Sequence, residues 1–261
     1  MNRKHILSFL TASCMVLVLS LGACIKQEPS GMNVICLVDL SDSGAALQRK
    51  TFYMKIIRDV VIPKLGLHDA ITVIPIDDAS VTNSAAIFRA DLSSQDFEPE
   101  FASPMEVDSL VQKKMREYKA ELASDFETSY RQVLEKRASY GNATDLFGAI
   151  EQGGKLCDKK KRNVIIFFSD MMNYTDALKM EPGNSSFNNN SLEDALKRAP
   201  VHSLPGSIAL VLTGELSDIS TDHFRLVNSF WSSYFKRNGI ALYDYSSTST
   251  QKLEELLQEG R

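Results

Sequence analysis

Cysteine and histidine are scarce in this chain. Four of each in 261 residues, well scattered, are too few for a disulfide framework or a zinc scaffold. No basic block is present either: 29 Lys and Arg stand against 33 Asp and Glu, a net charge of -4. Nucleic-acid binders draw much of their affinity from neutralised phosphates, so this balance argues against that class. Glycine (13) and proline (8) are too few for a collagen-like or low-complexity chain. Neither a Walker A loop nor a G-x-S-x-G nucleophile elbow occurs. What remains is the composition of a folded globular protein, 44% hydrophobic and 24% charged, at a length that suits one large domain or two small ones.

The first residues read as an address. Arg3 and Lys4 precede an uncharged apolar run from Ile6 to Gly22, too short for a comfortable membrane span and laid out like a secretion signal. The run ends in Leu21-Gly22-Ala23-Cys24, which resembles the lipobox of bacterial lipoproteins. That resemblance implies removal of residues 1–23, lipidation of Cys24, and residues 24–32 as a lipidated tether. An ordinary signal peptide that happens to contain a Cys is the alternative. Acyl chains contribute roughly 0.8 kcal/mol per buried methylene, so several of them anchor firmly. Ile25 stands where an Asp would, by the same resemblance, favour retention in the inner membrane. The expectation is therefore a cell-envelope protein held at the outer membrane. Cleavage removes two of the 29 basic side chains and none of the 33 acidic ones, which makes the mature chain more acidic. It also leaves only Cys36 and Cys157 as unmodified cysteines, expected as buried free thiols rather than as a pair.

Beyond the tether, apolar strand-like runs alternate with helical periodicity. Strands are expected over 33–38, 70–76, 85–92, 163–169, 207–213 and 240–245; continuous apolarity in 33–38 and 163–169 marks strands covered on both faces. The run 85–92 alternates more and reads as an edge, and Pro75 suggests an irregular or edge-facing strand end. Helices are expected over 45–65, 145–155, 221–238 and 251–258, with Pro63 weakening the end of the first. About 50 residues separate the third strand from Thr144, and 105–138 within them carries one long apolar stripe. It is read as a helical insertion (about 104–139), continuous or broken into a hairpin near Ser124, with the stripe assigned to the core before a partner surface. The expected fold is α/β: an open, mostly parallel, doubly wound sheet with helices on both faces. In such sheets ligands bind beyond the carboxyl ends of the strands, where the strand order reverses.

Acids and hydroxyls cluster at those ends. Asp39-Leu40-Ser41-Asp42-Ser43 follows the first strand, Gly141-Asn142-Ala143-Thr144 opens a helix, and Ser169-Asp170 ends a later strand. The three elements in this order resemble the metal-ion-dependent adhesion site of the von Willebrand factor A domain, over residues 33 to about 250. The resemblance implies one divalent cation held by Asp39, Ser41, Ser43, Thr144 and Asp170, and a free coordination position that takes an Asp or Glu of a partner protein. A hard dication wants oxygen ligands; two carboxylates balance its charge and hydroxyls add neutral donors, which suits Mg²⁺, with Mn²⁺ able to substitute. Met171-Met172 stand where many members of that family have Gly, which makes the loop less free.

Blander roles exist for each residue. Ser43 or Thr144 could cap the next helix, Asp145 is expected as a first-turn charge, Asp42 as a solvated side chain, and Asp77 and Asp78 as an ordinary turn. His68, His202 and His223 are expected at the surface or in packing. The Asn/Ser-rich stretch 181–191 is read as a polar loop, either passive or shaping specificity on the metal face. The leading expectation is a membrane-tethered protein-binding module that is not an enzyme. The alternatives are a metal-dependent phosphatase-like hydrolase, for which Ser41 stands where the general acid should be, and a scaffold with a degenerate site.

Overall fold

The computed structural model describes residues 31–41, 46–77, 80, 85–92, 97, 104–136, 143–202, 204, 206–216, 219–246 and 249–259. Cys24, the signal segment and the tether up to residue 30 lie outside the described residues. The folded unit begins at Gly31, so the last two residues assigned to the tether belong to the domain. Met32 already pairs in the first strand. Gly31 is required by close approach, since a Cβ there would stand 2.0 Å from the carbonyl oxygen of His68.

Five strands run parallel: β1 (Met32–Asp39), β2 (Ala70–Ile76), β4 (Arg162–Phe168), β7 (Ile208–Leu212) and β8 (Ala241–Ser246). β3 (Phe88–Asp91) is an antiparallel edge, and the order is β3-β2-β1-β4-β7-β8. The sheet is mixed only at that edge, and β1 is internal as its unbroken apolarity required. β3 pairs with β2 only from Ala70 to Val73. Pro75, which has no N–H to donate, therefore falls beyond the reach of β3.

Side chains alternate across the sheet. Val34, Cys36 and Val38 join a core with α1 (Ala46–Ile56), α2 (Pro104–Lys136) and α6 (Gln251–Gln258). Ile35 and Leu37 join another with α3 (Leu146–Lys155), α4 (Leu192–Arg198) and α5 (Thr221–Arg237). Burying each large apolar side chain is worth roughly 1.5–3 kcal/mol, and α5 alone encloses Phe230, Trp231, Tyr234 and Phe235. Among the described residues the thiols of Cys36 and Cys157 are free, Cys36 in the first core and Cys157 against the second.

α1 continues through a π-helical stretch, Ile57–Val61, and a final helical turn, Ile62–Lys64. The Ile62 N–H reaches back to the Ile57 carbonyl. Pro63 explains the widening: it has no N–H, and its ring would press on the carbonyl four residues earlier in a regular helix. α2 is one unbroken helix of 33 residues, about 50 Å long at ~1.5 Å per residue, so the hairpin alternative does not hold. Its stripe is core from Met115 onward, where Met115, Leu122, Phe126 and Tyr130 are buried, whereas Leu110 is exposed. Three short elements lacked a legible period: β5 (Tyr174–Thr175), β6 (Leu178–Lys179) and α4. Among the described residues no helix is long and apolar enough to cross a membrane.

Candidate functional site

The chain leaves β1 through α1 on one face of the sheet and reaches β4 through α3 on the other. The strand order therefore reverses between the adjacent strands β1 and β4, and the two crossovers part there at the carboxyl ends. Both apolar runs stop at that level, β1 with Asp39 and β4 just before Ser169 and Asp170.

Asp39 is 8% exposed. Its Oδ1 accepts a hydrogen bond from the Ser41 amide at 2.9 Å, and its Oδ2 accepts one from the Ser169 hydroxyl at 2.9 Å. Burial, and next the charge of Asp170, push the Asp39 carboxyl above its ordinary range, against the pull of these hydrogen bonds. Asp170 accepts from the Met172 amide on Oδ1 at 3.0 Å and from Arg49 Nη1 on Oδ2 at 2.7 Å. Both side chains of that ion pair are largely covered, at 15% and 17% exposure. Burial lowers the proton affinity of Arg49, but the charge and hydrogen bond of Asp170 outweigh it and hold the guanidinium above its usual range.

Met171, directly after Asp170, has φ 63°, a left-handed conformation that costs a residue with a side chain roughly 1–2 kcal/mol. Met171 and Met172 are the positions at which the resemblance expects Gly. The strain is held in place from both sides: the Met171 amide donates to Ser169 Oγ at 3.0 Å, and its carbonyl accepts from Trp231 Nε1 at 2.7 Å. The turn that presents Asp170 is thus fastened to the core of α5.

The third loop is fastened to the same place. Tyr174 N donates to the Thr144 carbonyl at 2.9 Å, and Asn173 Oδ1 accepts from the Leu146 amide at 3.1 Å. Asp145 is the N-cap of α3, accepting from the Gly148 amide at 2.9 Å, so the capping role falls to it and not to Thr144. Among the described residues no hydrogen bond joins the Thr144 hydroxyl to either carboxylate. The Asp77 carbonyl accepts from the Asp145 amide at 3.0 Å, which is a backbone role.

On the β7–β8 side, the Tyr53 hydroxyl donates to the Thr213 carbonyl at 2.7 Å. Gly214 has φ 71°, and a Cβ there would meet the Arg49 side chain at 3.3 Å. Among the described residues the buried Tyr245 hydroxyl and Ser246 Oγ have no hydrogen-bond partner. Burial, with Asp170 second, raises the Tyr245 hydroxyl well above its ordinary range.

Of the five residues expected to hold a cation, Asp39, Ser41 and Asp170 come together, Thr144 lies in the adjoining loop, and Ser43 is outside the described residues. Among the described residues no three His, Cys, Asp or Glu side chains form a group that could hold a metal, so any cation here would depend on two carboxylates and neutral oxygens. That donor chemistry suits a hard dication. Arg49, Ser169, Asn173 and Tyr245 were not read from the sequence as site residues. The Ser169–Asp170 pair was visible at a strand end, whereas Arg49 gave no signal, being one basic residue on a helix. In the stretch 181–191, Phe187 is buried against His223 and Phe230, and Asn184 and Asn188 each accept from the amide two residues on. His223 is a packing residue whose Nε2 lies 2.8 Å from the Met180 carbonyl.

No family model and no curated protein matches the chain. Among solved structures it is similar to the human COPII-coat protein Sec24c, at 12% identity and a TM-score of 0.38, covering 88% of this chain and 31% of that one. It is also similar to proximal thread matrix protein 1 from the mussel byssus in two structures. These have 10% and 14% identity and TM-scores of 0.41 and 0.40, covering 88% of this chain and 46% and 45% of theirs. The chain spans less than half the length of these structures.

Proposed function

We propose that the domain is a protein-binding module of the von Willebrand factor A type. It holds one Mg²⁺ or Mn²⁺ through Asp39, Ser41, Ser43, Thr144 and Asp170, and through the ion it takes a carboxylate of a partner protein. We further propose that lipid on Cys24 tethers it in a bacterial cell envelope, at the outer membrane. The supporting observation is the pair Asp39 and Asp170: two carboxylates at a topological switch point, with Asp39 buried and in the field of Asp170. A bound dication would supply a Lewis-acidic centre for the partner carboxylate. The chain's own residues fix the carboxylates by the Ser41, Ser169 and Met172 hydrogen bonds and exclude water from beneath them with the two cores. No turnover is assigned.

The Arg49–Asp170 ion pair favours a second reading, a metal-free scaffold in which a guanidinium serves as the cation. Calorimetry on the intact domain decides between them. Millimolar Mg²⁺ or Mn²⁺ should bind to the wild type, bind weakly to Ser41→Ala, and not bind to Asp39→Ala or Asp170→Ala. A co-purifying partner should be lost in EDTA and regained with Mg²⁺. Absence of any divalent binding to the folded wild type would eliminate the metal-dependent reading and leave the scaffold.

A further inference from the structure

We infer that Arg49 is an internal competitor for the cation, so that loading the metal and breaking the Arg49–Asp170 pair are one coupled event; this rests on the metal-binding reading above. The geometry carries it. The guanidinium stands 2.7 Å from Asp170 Oδ2, in a pair whose members are 15% and 17% exposed. Gly214 lets the Arg49 stem lie against the β7 loop, because a Cβ there would meet Arg49 Cγ at 3.3 Å. The position is therefore built and is not one pose of a solvated side chain. The charge of Asp39 also acts on Arg49. One guanidinium thus lies in the field of both carboxylates that the metal reading assigns to the ion. A dication at those carboxylates and a guanidinium in contact with one of them repel, in a crevice with little water to screen them. Either the ion binds and Arg49 leaves Asp170, or Arg49 stays and the ion is weakened. By linkage, whatever stabilises the Arg49–Asp170 pair lowers cation affinity by the same factor.

The test is Mg²⁺ and Mn²⁺ titration of the wild type, Arg49→Met and Arg49→Lys by calorimetry, with melting curves in EDTA and in Mg²⁺. Arg49→Met should bind either ion about tenfold more tightly than the wild type, inside the roughly 5–150-fold span of ordinary coupling between sites. In EDTA it should melt lower, because Asp170 is then left half-buried without the guanidinium, and its stabilisation by Mg²⁺ should exceed that of the wild type. Arg49→Lys keeps the charge and should stay near wild-type affinity. Equal or weaker binding by a folded Arg49→Met overturns the competition and leaves the metal site standing. If neither wild type nor Arg49→Met binds an ion, both the competition and the metal-dependent reading fail. Should Arg49→Met not fold, Arg49→Gln takes its place with the same expected direction.

Discussion

Two aspartates are buried at opposite ends of the central strands, and their surroundings differ in kind. Asp69, at the amino end of β2, is 4% exposed; it accepts from the Met32 amide and from the Gly66 amide, each at 2.6 Å. Asp39, at the carboxyl end of β1, accepts from the Ser41 amide and the Ser169 hydroxyl, and it also lies in the field of another carboxylate. Backbone amides around Asp69 hold the start of β1 to the turn before β2, so that carboxylate is spent on folding. Asp39 joins the ends of β1 and β4 through one side-chain hydroxyl, that of Ser169, and not through two backbone amides. Its neighbour raises the cost of its charge, and a positive ligand would remove that cost. Burial alone does not distinguish the two; their hydrogen-bond donors do, two backbone amides across a turn for Asp69 and one amide with one hydroxyl for Asp39.

The largest effect on folding should therefore come from the less conspicuous residue. Asp69→Ala leaves two covered amides without acceptors and should cost about 2–4 kcal/mol in urea unfolding, with cation binding unchanged in the protein that still folds. Asp69→Asn, which keeps one acceptor oxygen, should fall between. A loss under 1 kcal/mol for Asp69→Ala would erase the contrast. Next is Met171, whose strain belongs to the carboxyl end. Both small replacements lose a buried side chain, but only Gly relieves φ 63°. Met171→Gly should therefore be more stable than Met171→Ala by about 1 kcal/mol, the reverse of the usual order in ordinary backbone. If Ala is the better residue, the turn is not strained by its φ.

The sheet could be read from the chain because apolar runs that stop at an acid are a local signal. The runs 33–38 and 163–169 gave internal strands, the alternation in 85–92 gave an edge, and Asp39 and Asp170 fell at the strand ends. α4 and the β5–β6 hairpin were not legible, because elements of seven and two residues carry too little period to stand out. The site divides the same way. Its acids were marked by position along the chain. Arg49 is 121 residues from Asp170, a distance over which no spacing rule operates. Asn173 looked like any loop polar residue until its carbonyl was seen on the α3 amide. The strain at Met171 was hinted at only by a methionine where the resemblance expects Gly. Asp145 is expected as a first-turn charge with Thr144 as a possible cap; it is itself the N-cap, because α3 starts one residue later than its periodicity suggests.

Asp39→Asn sharpens the comparison further. The amide oxygen keeps one acceptor, its NH₂ can donate to Ser169 Oγ, and the repulsion with Asp170 is gone. Folding stability should move by less than about 1 kcal/mol in either direction, much less than for Asp69→Ala. On the metal-dependent reading, calorimetry should lose the Mg²⁺ signal even so. A folding cost as large as that of Asp69→Ala would mean that the two aspartates do the same work.

The smallest effect is expected at a third carboxylate, one that is neither enclosed by amides nor set against another acid. Glu127 on α2 accepts from Arg58 Nη1 at 2.6 Å and from Arg131 Nη2 at 2.6 Å, joining the π-helical end of α1 to the long helix. The Arg58 hydrogen bond, then that of Arg131, holds its carboxyl below the ordinary 4.5. A depressed acid adds stability that is complete above its unfolded value and fades as the pH falls through its folded one. The contribution should therefore be full at neutral pH and lost only below about pH 4.5. Water reaches all three side chains, so screening limits it to about 0.5 kcal/mol or less. Glu127→Gln should lower the urea midpoint slightly at pH 7 and progressively less as the pH falls below about 4.5, and 1 M NaCl should shrink the difference. A cost above about 1.5 kcal/mol at pH 7 would show that α2 is held to α1 by charge and not by Phe126, Tyr130 and Leu122.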